Sequence, residues 1–180
     1  MQKKLRCNGC ALRGLAVATG SLSGLTVLFA AAGLRINVTP SIPLGLYVRT
    51  GQAPAPGLIA EFCPSGMSAA ESARYRGFSM ACPDRGIPLL KPVVAAAGDS
   101  VEFTPSGLAV NGRPLPNTAP RRADSMGRSV RSWSAGSYTV ERGRIVVAST
   151  YHPGSYDSRY LGPVSVADVR ATLRPLWVIQ

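Results

Sequence analysis

The sequence contains very little lysine. It has 20 basic residues, of which 17 are arginine and only Lys3, Lys4 and Lys91 are lysine. Two of these lysines lie at the start of the chain, so Lys91 is the one lysine in the remainder. A guanidinium stays protonated in proteins, whereas a lysine amine can lose its proton and act as a base. Lys91 is therefore a candidate for acid–base chemistry.

Histidine, acidic residues and cysteine are also scarce. One histidine and four cysteines, spaced as Cys7/Cys10 and Cys63/Cys82, do not provide the ligand pattern of a closed zinc site. We therefore expect no structural metal and no cofactor. Charged residues make up 16% of the chain and hydrophobic residues 46%, with a net charge of +11. This composition indicates one folded domain, part of which lies in lipid.

One uncharged run near the N-terminus is long enough to cross a bilayer. Residues 14–34 lie between Arg13 and Arg35, and a helix of this length spans roughly 30 Å. The basic tail 1–13 predicts that the N-terminus stays in the cytoplasm, which places residues 36–180 outside. The alternative is a cleavable signal segment, with Ala30 to Ala32 supplying the small residues of a cleavage site.

The exported part of the chain is predicted to be mainly β. Short apolar runs bounded by glycine and proline indicate strands, and Asn111-Gly112 is typical of a hairpin turn. Ser68 to Arg76 is predicted to be a helix with a capping box formed by Ser68 and Glu71. Exposed inserted loops are expected at about 63–87 and 117–138. The predicted strands are Leu58 to Cys63, Leu89 to Ala95, Ser100 to Thr104, Leu108 to Val110, Arg144 to Ser149 and Ala171 to Val178.

Export changes the expected state of the cysteines. Disulfides form in oxidising compartments, so Cys63 and Cys82 are predicted to be bonded to each other. Such a bridge should stabilise the fold by roughly 3 kcal/mol. The Cys7/Cys10 pair in the tail would remain reduced, and we expect it to be inert because no βαβ pattern surrounds it.

Three segments carry residues suited to catalysis. TPSIPLGLY places Ser41 between Pro40 and Pro43, which stiffen the backbone around it. LLKPVVAAAGD places Lys91 in an apolar strand, where burial favours the neutral amine. GSYDSRYLGPV follows near the C-terminus. In this order behind a membrane anchor, the three segments resemble the boxes of the S26 signal peptidases, and specifically the TraF-type branch of conjugative transfer peptidases.

This resemblance implies a fold and a set of residue roles. The fold would be a signal-peptidase-like (LexA/signal peptidase type) antiparallel β-sheet body behind one N-terminal transmembrane helix. Ser41 would be the nucleophile and Lys91 its general base. Thr39 and the N–H of Ser41 would form the oxyanion hole. The remaining matches are Ser155, which orients the lysine amine, and the supporting pair Asp157 and Arg159, with Asp157 also credited with a catalytic part.

The resemblance also implies a substrate and a location. The chain would be a serine endopeptidase of the bacterial inner membrane with a periplasmic catalytic domain, processing the precursor of a conjugative pilus subunit. Water would resolve the acyl-enzyme by hydrolysis, and the amino terminus of the substrate would resolve it by cyclisation. Its partners would be the pilin precursor, inner-membrane lipid and other proteins of the conjugation apparatus, but not nucleic acid, since aromatic and basic residues are not interleaved.

Other interpretations remain open at this point. A general type I signal peptidase is one, and a non-enzymatic membrane-anchored component of a conjugation or secretion complex is another. A Ser-His-Asp triad using His152 and Asp157 is disfavoured, because His152 lies in a turn-like segment and no G-x-S-x-G motif is present. Pro92 and Ile42 depart from the residues frequent in relatives, and we expect them to affect the shape of the substrate groove.

Overall fold

The computed structural model describes residues 32–179. The basic tail, the Cys7/Cys10 pair and all but the end of the predicted span 14–34 lie outside the described residues, so these assignments stay predictions. Among residues 32–179, no helix is long and apolar enough to cross a membrane. Residues 36–180 form one compact unit, which is the body expected to be exported.

The body is built mainly from β-strands. It contains two α-helices, α1 (Ala69–Arg76) and α2 (Ser158–Leu161), and a 3₁₀ helix at Val166–Asp168. The strands are β1 (Leu34–Asn37), β2 (Leu44–Arg49), β3 (Ile59–Phe62), β4 (Leu89–Ala95), β5 (Ser100–Thr104), β6 (Gly107–Val110), β7 (Arg113–Pro114), β8 (Gly136–Thr139), β9 (Arg144–Val147), β10 (Val164–Ser165) and β11 (Val169–Ile179).

A seven-stranded sheet carries the middle of the body, in the order β1-β2-β11-β3-β4-β9-β10. The long strand β11 pairs antiparallel with β2 on one side and with β3 on the other. β4 pairs antiparallel with β3, with Lys91 opposite Ala60. Because side chains alternate between the two faces of a strand, Lys91 shares its buried face with Val93 and Ala95. The candidate base, Lys91, therefore lies in a strand of the sheet and not in a surface loop.

A second, four-stranded sheet has the order β7-β6-β5-β8. β5, β6 and β7 form a meander, and the turn from β6 to β7 is the Asn111-Gly112 turn, in which both residues have positive φ. Such φ values are those that this turn type requires and that Asn and Gly tolerate. Buried side chains from both sheets form one core cluster, which includes Ala95, Val101 and Val146.

The mainly β, antiparallel character predicted from the sequence is confirmed, and each of the six predicted strands overlaps an observed one. Five strands were not predicted, namely β1, β2, β7, β8 and β10. β7 and β10 are only two residues long, β2 begins within the proline-rich segment interpreted as loop, and β8 overlaps the predicted loop 117–138. The predicted loop 117–138 also needs correction. Thr118 is buried and accepts a hydrogen bond from the backbone N–H of Leu108, and β8 starts at Gly136.

The segment 63–87 contains α1 and a disulfide. Ser68 caps the helix, and the predicted capping box with Glu71 is present. Cys63 and Cys82 form a disulfide bond. Within the same segment, the buried Arg76 side chain forms an ion pair with Asp84. The segment is thus an ordered cap held by its own polar contacts, and it does not belong to either sheet.

Candidate active site

The loop that carries Ser41 is held by one buried side chain, Asn37. Its amide Nδ2 lies within hydrogen-bond distance of the carbonyl oxygens of Thr39, Ile42 and Pro43, at 2.8, 3.0 and 3.1 Å. Its Oδ1 accepts from the Thr39 N–H at 3.2 Å. Asparagine often forms hydrogen bonds with nearby backbone groups in turns, but no sequence pattern marks Asn37 as a residue that would do so. It fixes the backbone on both sides of Ser41.

The residue after Ser41 anchors the same loop in the core. Ile42 is 1% exposed and belongs to a buried cluster with Tyr47, Ile59 and Leu173. The Tyr47 hydroxyl donates to the Pro43 carbonyl at 2.6 Å. The expectation that Ile42 shapes the substrate groove is therefore wrong, because its side chain packs into the interior. Pro92 is likewise absent from the lining of the cleft that contains Ser41.

Lys91 reaches Ser41 from β4, which β11 and β3 separate from β2 in the strand order. Its Nζ donates a hydrogen bond to Ser41 Oγ, with 2.6 Å between the two atoms. Lys91 is only 4% exposed, while Ser41 remains half-buried at the cleft. A hydroxyl within hydrogen-bond distance of a buried amine is the geometry expected of an activated nucleophile and its base.

The surroundings of Lys91 lower the pKa of its amine below the value of a lysine in water. Burial lowers the pKa of the Lys91 amine to about 8, because the ammonium loses its hydration. The Asp157 carboxylate opposes this shift, and the Arg159 guanidinium reinforces it. A substantial fraction of the amine is therefore unprotonated at mildly alkaline pH.

Asp157 and Arg159 form a fully buried ion pair. Arg159 Nε donates to Asp157 Oδ1 and Nη2 donates to Oδ2, both at 2.8 Å. The same guanidinium donates to the carbonyls of Pro153 and Ser155, and Asp157 Oδ2 accepts from the Ser149 N–H. Within the described residues neither side chain hydrogen-bonds Lys91. The pair therefore acts on Lys91 through its charges. It also holds the loop around Pro153 and Ser155.

Two other predicted site residues, Thr39 and Ser155, do not make the hydrogen bonds that their expected roles require. The Thr39 hydroxyl donates to Asn37 Oδ1 at 2.8 Å, so its hydrogen is already engaged. Ser155 is buried, but among residues 32–179 its Oγ has no hydrogen-bond partner, Lys91 included. Their roles in the oxyanion hole and in orienting the lysine stay predictions.

The cleft at Ser41 has a volume of about 540 Å³ and is walled by the two inserted segments. Tyr75 of α1 stacks on Tyr156, with ring centroids 4.2 Å apart, and Tyr156 stacks on Tyr160 at 5.2 Å. From the segment 117–138, Arg121 and Val130 also line the cleft. Stacked rings bury a large apolar area and hold a fixed shape. The cleft therefore presents apolar walls with arginines among them.

The geometry does not support a Ser-His-Asp triad. His152 lines the cleft, but its Nδ1 accepts from the Gly154 N–H at 3.1 Å, and the hydroxyl of Ser41 is bonded to Lys91. Asp157 is engaged by Arg159. A base–carboxylate arrangement around His152 is therefore absent from the described part of the chain.

The sequence places this chain in a known family. Residues 15–177 match the family described as signal peptidase, peptidase S26. This match covers most of the chain and includes every residue of the site described above. The protein belongs to the S26 signal peptidase family.

Several similar proteins are named as TraF proteins of plasmid or conjugal transfer. The chain is 35% identical over 164 residues to a plasmid transfer protein TraF of Escherichia coli, covering 89% of this chain and 93% of that protein. It is 38% identical over 163 residues to a probable conjugal transfer protein TraF of Sinorhizobium fredii, covering 86% and 84%. A signal peptidase I structure from Enterococcus faecalis aligns over 69% of this chain and 100% of that one at 24% identity, with a TM-score of 0.40.

Proposed function

We propose that this protein is a membrane-anchored serine endopeptidase that works through a Ser41–Lys91 dyad and processes the precursor of a conjugative pilus subunit. The observation that carries the proposal is the 2.6 Å contact between Ser41 Oγ and a lysine amine that is almost fully buried. Membership of a peptidase family and similarity to TraF proteins support the choice of a protein substrate from the conjugation apparatus.

The proposed reaction begins with proton transfer from Ser41 to the neutral Lys91 amine. Ser41 Oγ then attacks the scissile carbonyl carbon, and the resulting oxyanion needs hydrogen-bond donors. Within residues 32–179 the backbone N–H of Ser41 has no hydrogen-bond acceptor, so it is available to the oxyanion. The protonated Lys91 then returns the proton to the leaving amine, which gives an acyl-enzyme on Ser41.

Two nucleophiles can release the acyl group. Water gives a shortened linear pilin, and the amino terminus of the same substrate gives a circular one. The two products differ by the mass of one water molecule. We place both outcomes within the proposed activity, because the dyad chemistry up to the acyl-enzyme is the same for each.

A co-expression experiment tests the proposal. The full chain and a pilin precursor are expressed together, and the pilin is analysed by mass spectrometry. We expect a shortened pilin with wild-type protein and only intact precursor with Ser41→Ala, while the amount of folded variant in the membrane is unchanged. Processing at the wild-type rate by Ser41→Ala would exclude Ser41 as the nucleophile. Processing of many unrelated exported precursors would instead favour a general type I signal peptidase.

A further inference from the structure

His152, the one histidine of the sequence, remains without a role in the dyad mechanism, although it lines the same cleft as Ser41. Its Nδ1 accepts a hydrogen bond from the Gly154 N–H at 3.1 Å. The proton of a neutral imidazole must then be on the other nitrogen. His152 therefore presents an Nε2–H donor that its own loop does not use.

The Arg121 guanidinium lies beside this ring. A Cβ placed on Gly154 would lie 2.9 Å from His152 Cε1 and 3.6 Å from Arg121 Nη1, so both side chains flank one point of the cleft. Over residues 32–179, the Arg121 side chain takes part in no ion pair or hydrogen bond. The one acidic side chain lining this cleft, Asp124, is already bonded to Arg128 at 2.7 Å.

A third donor lies next to the same arginine. The Tyr160 hydroxyl accepts from the Arg121 backbone N–H at 2.9 Å, and its own hydrogen has no acceptor within the described part of the chain. Arg121, His152 and Tyr160 all line the cleft that contains Ser41. Three donors and one uncompensated positive charge at one place are suited to a planar anion, because charge-assisted hydrogen bonds to carboxylates are the stronger kind.

From this arrangement we propose that Arg121 and His152, with Tyr160 beside them, form a subsite that binds a carboxylate group of the substrate. The proposal rests on the proposed peptidase function and specifies its substrate as a peptide segment with a carboxylate near the scissile bond. The carboxylate is either an acidic side chain or a free C-terminus, since both offer the same two oxygens. The subsite selects the substrate and takes no part in the chemical step.

The test uses internally quenched peptides that the full-length protein cleaves, with Glu or Gln at each position in turn and an amidated C-terminus. A second set of the same peptides carries a free C-terminus. We expect the wild-type kcat/KM to be about fivefold higher for the Glu peptide than for the Gln peptide at one position, or for the free than for the amidated C-terminus. A half-exposed charged contact gives an effect of this size. The preference should appear in KM and weaken as salt is added, because exposed charges are screened.

Two variants and a control show whether Arg121 and His152 cause the preference for the carboxylate. Arg121→Gln removes the charge, and His152→Asn removes the Nε2–H while keeping an oxygen that can accept from Gly154. Each should bring the Glu-to-Gln ratio close to one, mainly by raising the KM of the Glu peptide. Arg142→Gln, at an exposed arginine that does not line the cleft, should keep the wild-type ratio. A preference that is absent at every position and at the terminus, or that survives both variants, would overturn the proposal.

A binding measurement separates this proposal from the proposed function. Fluorescence polarisation with Ser41→Ala protein compares the affinities of the labelled Glu and Gln peptides without any cleavage. Tighter binding of the carboxylate peptide that is lost in Ser41→Ala/Arg121→Gln supports the subsite even if no peptide is cleaved. Equal binding of both peptides and of both termini contradicts the subsite even if Ser41-dependent cleavage is observed.

Discussion

The sheet that carries Lys91 and the inserted segments that wall the cleft are held together in different ways. Lys91 lies on a strand with paired neighbours on both sides, and its position follows from backbone register. The segments 63–87 and 117–138 depend on a disulfide, on ion pairs and on side chain to backbone hydrogen bonds. Changes in the sheet should therefore act on the chemical step, and changes in the segments should act on stability and substrate binding.

The largest effect is expected for Lys91→Arg. The variant keeps a positive charge at nearly the same length, but a guanidinium cannot accept the proton of Ser41. We expect turnover to fall by at least about a thousandfold, as for Lys91→Ala, which is typical of losing a member of a catalytic dyad. Steady-state cleavage of a quenched peptide measures this. If Lys91→Arg keeps more than about a tenth of wild-type turnover, Lys91 has a structural role and not that of a base.

The buried ion pair is expected to give the second largest effect. Asp157→Asn leaves the Arg159 guanidinium buried without its partner, and breaking such a pair costs about 3–5 kcal/mol in the free energy of unfolding. The carboxylate also raises the pKa of Lys91, so residual activity should have its acidic limb at lower pH than in the wild type. Denaturant unfolding and a pH profile measure the two effects.

A second ion pair provides the control for Asp157. Asp124 and Arg128 are bonded at 2.7 Å, but the arginine side chain is 37% exposed. Exposed pairs contribute at most about 1 kcal/mol, so Asp124→Asn should change the free energy of unfolding by less than that. Equal losses in Asp157→Asn and Asp124→Asn would show that burial of the Asp157–Arg159 pair has no special importance.

After the Asp157–Arg159 pair, the next largest effect is expected at the disulfide. Replacing Cys63 and Cys82 by serine removes a cross-link that closes a short loop, which costs about 3 kcal/mol in the chain-entropy description. Because this loop contains α1 and walls the cleft without touching the dyad, KM should rise more than kcat falls. Reductant should lower the melting temperature of the wild type and leave that of the double variant unchanged. A large fall in kcat with KM unchanged would show that the disulfide-closed segment affects the Ser41–Lys91 dyad and not only substrate binding.

Much of the sheet could be predicted from the sequence, because apolar runs and turn residues mark strands locally. β4 and β5 were predicted to the residue, and the capping box of α1 was read from Ser68 and Glu71. The contact between Ser41 and Lys91 was expected only from family resemblance, since 50 residues separate them and strand order is not a local property. Asn37 was missed for a similar reason, because its importance comes from the three carbonyls that the folded loop turns toward it.

The roles of Thr39 and Ser155 were also expected from family resemblance alone. A motif gives the residue type but not the rotamer. The Thr39 hydroxyl is engaged by Asn37, whereas Ser155 Oγ has no hydrogen-bond partner in the part of the chain that the structure describes. The walls of the cleft were the least predictable part, because Tyr75 meets Tyr156 only after α1 folds against the segment that carries Tyr156 and Tyr160. Stacking of Tyr75 on a residue so far along the chain leaves no periodic signal.

Activation of Ser41 by a buried, neutral Lys91 amine should determine how kcat/KM depends on pH. With a peptide that has no group titrating between pH 6 and 10, we expect kcat/KM to rise about tenfold per pH unit at low pH and to reach a plateau above an apparent pKa of about 8. This direction follows because burial lowers the lysine pKa, so the amine loses its proton as the pH rises through that value. A kcat/KM that is flat from pH 6 to 9 would exclude the neutral Lys91 amine as the base that activates Ser41.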